Sequence, residues 1–526
     1  MMEGPIHLES MHNLTSQQKS EVENLKLLDN RPTQFDKALG TKKACIVGLV
    51  FSVCTGIFFV VVGSLAQGST HIFNLNPVAH ELVPLGINIV VLLVTESLGY
   101  IHMVSLRWAL LHENRLEFNA NLRLFTTSKT NPANGLLANV LYFVAITMCY
   151  AASSMVFVTN TYDYSLTDGG DPWSKASLAV SLSKVTTIAM GSAILVLCLL
   201  STWSLWKSKI PTWSSNPLTT LSAAMENGII LHREGRCMMS VHDRKKDAIP
   251  TRPTSVQQPP ITVSTLITWI LFGISATLTL LVFGMIIVII VGVSNHDGGS
   301  WNIIPTLTFN AQNINSVTQS QAQKQTLTVF LSFFTSPEGS HPNLIHEPTM
   351  VGVLIFVMIV QFTLTIGLHC AELQVTLLRD EQVLRRMMSK DGTSELSLYN
   401  SVLLPFTSWQ NVALLAFKPV IHWMFGSAMG VDYGAGILIR VPHVTYLTVL
   451  WVLFLAFVVQ ISYTKPRGSL PASYGHLQTM ADIIDEWAPK MYWGDKGELE
   501  ESEGGVRHAG TKGMPLPRIE MDALYS

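Results

Sequence analysis

Seven separate stretches of the chain are apolar over twenty residues or more. They are 44–66, 82–106, 136–157, 185–205, 266–293, 350–369 and 441–463. A helix needs roughly 20 such residues to cross about 30 Å of hydrocarbon. Inside that layer every backbone polar group must be paired within the protein. The chain is therefore predicted to be all-α, a polytopic transmembrane helix bundle with polar cytosolic tails and loops. Charge agrees: 13% of the 526 residues are charged, against about 25% in soluble domains. A net charge of −2 gives no field that would attract nucleic acid.

The first apolar run follows 43 mostly polar residues and extends over about 23. A signal-peptide core is only about 7–15 residues long. The run is expected to be both the first span and the insertion signal.

An eighth segment, 402–429, is ambiguous. It is apolar at both ends but carries Lys418-Pro419 in its middle. Proline removes a helical hydrogen bond, and lysine at the bilayer centre costs about 2.5–3.5 kcal/mol. The segment reads as a kinked span or as a re-entrant or surface helix. With Lys418 snorkelling, His422, Trp423 and Phe425 read as an interfacial anchor.

The distribution of basic residues favours eight spans over seven. With the N-terminus in the cytosol, 29 of the 34 Lys and Arg fall inside and 4 outside, as the positive-inside rule requires. The layout is then a cytosolic tail (1–43), four spans (44–205), a cytosolic Pro-rich basic loop (206–265), four more spans (266–463) and a C-terminal tail (464–526). The loop 206–265 reads as mostly irregular, and the outside loop 294–348 is rich in Asn, Gln, Ser and Thr. One helix is predicted in the tail, 476–487, from the spacing of Leu477, Met480, Ile484 and Trp487. The sequon Asn13-Leu14-Thr15 falls on the cytosolic side and is expected to stay unmodified.

Six cysteines occur, none in a loop placed outside and no pair at metal-ligand spacing. They read as small apolar core residues. A disulfide-stapled ectodomain is excluded.

The second apolar stretch holds the most informative polar residues: Asn88, Glu96, Tyr100 and His102. A carboxylate in hydrocarbon must be paired, hydrated or protonated. Asn88 and Glu96 are about 12 Å apart along a helix and about 80° in rotation, and Tyr100 shares the Glu96 face. His102 points elsewhere. These four form the candidate intramembrane site, with Glu96 facing a polar cavity; the competing reading is a glutamate that fixes helix packing. His369 and Glu372 also share a face, but at the expected cytosolic interface, where polar residues cost little. They are too few to hold a metal.

Motifs for soluble catalysis are missing. The chain has no G-x-x-x-x-G-K-[ST], no H-E-x-x-H and no G-x-S-x-G. No cofactor and no catalytic residue are implied.

Several blocks look familiar. They include Glu96-Ser97-Leu98-Gly99-Tyr100-Ile101-His102, Arg115-Leu116-Glu117-Phe118-Asn119, Trp213-Ser214-Ser215-Asn216-Pro217-Leu218 and Lys418-Pro419-Val420-Ile421-His422-Trp423. Together, over 44–496, the chain resembles a group of uncharacterised multi-pass membrane proteins of filamentous fungi. The resemblance implies a polytopic membrane protein and carries over no site residue. The blocks lie mostly near the cytosolic side, which points to a cytosolic protein partner through the loops or the C-terminal helix. The lipid bilayer is the other expected partner.

The expectation is a non-catalytic accessory or structural membrane protein. A secondary transporter or channel working around Glu96, and a membrane receptor or sensor, are the alternatives.

Overall fold

The computed structural model describes residues 35–66, 72–75, 77–159, 178–295, 301, 328–331, 347–393, 408–432, 436–499 and 505–526. The sequon at 13–15 and most of 294–348 lie outside them. Among the described residues, seven helices are long and apolar enough to cross a membrane. They are α1 (Leu39–Leu65), α2 (Pro77–His112), α3 (Leu136–Ser153), α4 (Lys184–Lys207), α6 (Thr265–Asn295), α7 (Glu347–Arg385) and α9 (Val441–Tyr463). A short helix, α5 (Pro217–Glu226), lies between α4 and α6. The protein is a polytopic helix bundle.

Helix contacts follow from side-chain size. α1 packs most closely on α4. A β-carbon on Gly191 would lie 2.7 Å from the Gly56 carbonyl, and one on Gly63 would touch Ile188. Small residues let two backbones approach where lipid supplies no hydrophobic drive.

The ambiguous segment forms one helix, α8 (Trp409–Ala428), with Pro419 inside it. Its 20 residues span about 30 Å. Trp409 packs edge-on against Phe457 near the end of α9. The other end passes directly into strand β5 (Met429–Asp432), which pairs with β6 (Gly436–Arg440) and so leads into α9. α8 therefore runs antiparallel to α9 through the full depth of the bundle.

Among the described residues two small sheets complete the fold, neither anticipated from the sequence. At one end, β1 (Ile72–Leu75), β3 (Leu178–Leu182), β2 (Phe157–Thr159), β5, β6 and β4 (Thr328–Leu331) form six strands in that order. Each strand is only three to five residues long and lies in a link between helices, too brief to show a period.

At the opposite end the remaining links and the C-terminal region fold into a layer with its own core. That core includes Trp213, Leu218, Met238, Leu470, Met480, Met491, Trp493 and Tyr525. Backbone pairing ties the segments together: Trp213 N to Lys37 O, Asn119 N to Gly475 O, Val241 N to Ala472 O, and Thr393 with Met491 in both directions. The loop 206–265 is mostly irregular, yet it is packed into this layer. The predicted tail helix is shorter than expected, α10 (Leu477–Ile483), and it is buried rather than displayed. Strands β7 (Tyr492–Glu498) and β8 (Arg507–Lys512) form an antiparallel pair beside it. α7, at 39 residues, is about 58 Å long and projects into the layer. There Asp380 accepts from Asn119 Nδ2, and Glu381 accepts from the backbone of Ser473 and Tyr474.

Candidate functional site

Three charged side chains from three helices meet midway through the bundle. Lys418 lies nine residues from one end of α8 and ten from the other. Its ammonium donates to Glu96 Oε1 on α2 and to Glu372 Oε1 on α7. The lysine side chain is 2% exposed, while those of Glu96 and Glu372 remain 31% and 26% exposed. The expected interfacial anchor is thus corrected: Lys418 and His422 are buried, because the carboxylates satisfy the ammonium inside the protein. Glu372 is likewise not at an interface. The apolar run of α7 ends at His369 because its next residues face protein groups, not because the helix has left the bundle.

Arg123 joins from the link between α2 and α3, with Nη2 3.7 Å from Glu372 Oε1. Two carboxylates then face one ammonium and one guanidinium, and formal charge balances. His369 Nδ1 lies 2.8 Å from Glu372 Oε1 and 3.2 Å from Arg123 Nη2. Carrying a proton, that nitrogen donates to the carboxylate; bare, it accepts from the guanidinium.

Buried aromatic and amide groups bracket the cluster. Toward the six-stranded sheet, the His422 ring stacks on Tyr150 at 3.7 Å. Tyr150 Oη and Thr95 Oγ1 are 2.9 Å apart, and Gln361 Nε2 donates to His422 Nδ1 at 2.8 Å. Toward the opposite layer, His102 stacks on Tyr142 and lies 3.0 Å from Asn139 Oδ1.

The four residues singled out in the sequence separate into different places. Glu96 is in the cluster. Asn88 is buried nearer the sheet, donating to Pro84 O and accepting from Ser153 Oγ. It lines a cavity of about 40 Å³ with Trp423, Gly426 and Arg440 among others, room for a very few waters. Tyr100 donates to Trp213 O at 2.5 Å and so anchors the layer opposite the six-stranded sheet. His102 belongs to the bracket on the side away from the six-stranded sheet. Sequence reasoning missed Lys418 as the partner of Glu96, and Glu372 and Arg123 as further members of the same cluster. The available signal was a mid-segment lysine matching a mid-span glutamate.

Among the described residues, no group of three His, Cys, Asp or Glu side chains could hold a metal ion. Comparison with protein-family models, curated proteins and solved structures gives no match. The functional reading rests on the geometry.

Proposed function

We propose that the protein is a secondary transporter whose working site is the Glu96–Lys418–Glu372 cluster. One observation carries this reading: a charge-balanced cluster lies midway through the bundle on three separate helices, with both carboxylates still partly exposed. Well-packed apolar residues would stabilise a bundle as well as or better than buried ion pairs. Ionisable groups within membrane spans mark solute or ion pathways by default. A lysine shared by α2 and α7 also offers two alternative partners, which suits a bundle that alternates between two arrangements. The basic inner layer is assigned to the cytosol on its charge.

The test is flux into proteoliposomes across labelled cations, anions, neutral polar solutes and lipid analogues. The reading expects flux of one class in the parent protein and its loss in Glu96→Gln. Flux of none, or flux unchanged by that substitution, would overturn it.

A non-catalytic accessory role is the second reading. The separately packed inner layer supports it, since its outer surface could receive a cytosolic protein.

A further inference from the structure

The exposure of Glu96 has a direction. Along α2, Leu82, Gly86, Ile89, Leu93 and Glu96 recur at intervals of four and three and so share one stripe of the helix. Leu82 is 58% exposed, Ile89 43% and Leu93 54%. A β-carbon on Gly86 would find nothing within 4 Å. In a membrane-spanning helix such an apolar stripe faces lipid. Glu96 lies at its inner end, where Ser97 closes against Gly48 of α1. Along the bundle axis the cluster is shut off by Tyr150, His422 and Gln361 on one side and by His102 and Tyr142 on the other, all 1% exposed or less. The open approach to Glu96 is thus from the side, through the bilayer.

Charge decides what could come that way. Lys418 and Arg123 already balance Glu96 and Glu372, so a cationic headgroup would leave a net positive charge in a medium that penalises it. Glu96 Oε1 accepts from Lys418. Oε2 has no hydrogen-bond partner among the described residues and remains free to accept one. A neutral donor satisfies it without disturbing the balance. We infer that the cluster takes a bilayer-resident neutral lipid bearing a hydroxyl, its chain along the Leu82–Leu93 stripe of α2 and its O–H donated to Glu96. This names the substrate class of the site proposed above and rests on that reading.

Photolabelling in phosphatidylcholine nanodiscs tests it without requiring flux. The probe is a long-chain alcohol carrying a diazirine and an alkyne. Expected is saturable labelling of α2 and α8 peptides, competed by unlabelled alcohol but not by its methyl ether or by a short water-soluble alcohol. Labelling should fall to background in Glu96→Leu. It should also fall in Gly86→Phe, which fills the stripe and leaves every charge in place. Equal competition by the methyl ether, competition by the short alcohol, or labelling unchanged in Gly86→Phe would overturn the inference. If flux of a water-soluble solute is lost in Glu96→Gln while labelling fails these criteria, transport stands and the lipid substrate does not.

Discussion

The guanidinium of Arg123 occupies the space that a β-carbon on Gly99 would fill, with Cζ 2.5 Å and Nη2 2.8 Å from that position. Gly99 is therefore the seat of the cation that completes the charge cluster. Gly99→Ala should expel Arg123 from Glu372 and His369. Overpacking of this kind costs about 1–3 kcal/mol, outweighing the roughly 0.8–1 kcal/mol by which alanine favours a helix. Gly86→Ala, in open space on the same helix, should be neutral or slightly stabilising. Thermal unfolding in detergent compares them, and equal stability of the two variants would refute the seating.

Lys418→Met leaves two carboxylates without their shared ammonium. Breaking a buried pair from one side costs about 3–5 kcal/mol, mostly for the charge left behind. Adding Glu96→Gln removes one of those charges and should recover part of the loss, while Arg123 and His369 still hold Glu372. The two changes should therefore be non-additive by about 0.5–3 kcal/mol. Additive losses in a double-mutant cycle of unfolding would show that the contact carries no coupling.

The layer opposite the six-stranded sheet has a pH dependence of its own. His508 Nε2 lies 3.0 Å from Asp485 Oδ2. That hydrogen bond, with a smaller contribution from Cys237, pushes His508 from 6.5 up to about 10 against the opposing effect of burial. Burial raises Asp485, but His508 and Lys496 outweigh it and hold the carboxyl below its ordinary value. A raised folded value means stability that is complete below pH 6.5 and is lost as pH rises through about 10. Hydrogen exchange of β7 and β8 should accelerate over that window beyond the intrinsic pH effect. In His508→Gln this excess should vanish, and an identical profile in both proteins would remove His508 as the cause.

The sequence was most legible where a property is local. An apolar run long enough to cross a bilayer becomes a helix whatever its neighbours, because the backbone has no other way to pair. α1, α4, α6 and α9 all follow that rule. Glu96 was legible for a related reason: a mid-span carboxylate must be satisfied somehow. The six-stranded sheet was not legible, since strands of three to five residues take their conformation from the strands beside them. Nor was the depth of Glu372, because hydropathy reads a polar residue as the end of a span even when its partner is another buried side chain.

Sequence alone thus determined that this chain is a multi-pass helical bundle and that Glu96 must be paired, hydrated or protonated. Only the tertiary structure decided that it is paired, and with which partner. Lys418 is 322 residues from Glu96 and 46 from Glu372, and no spacing rule links them. A buried charge is satisfied by whatever group packing brings within reach. Packing is set by the contacts of whole helices such as α2, α7 and α8, not by the residues flanking the charge.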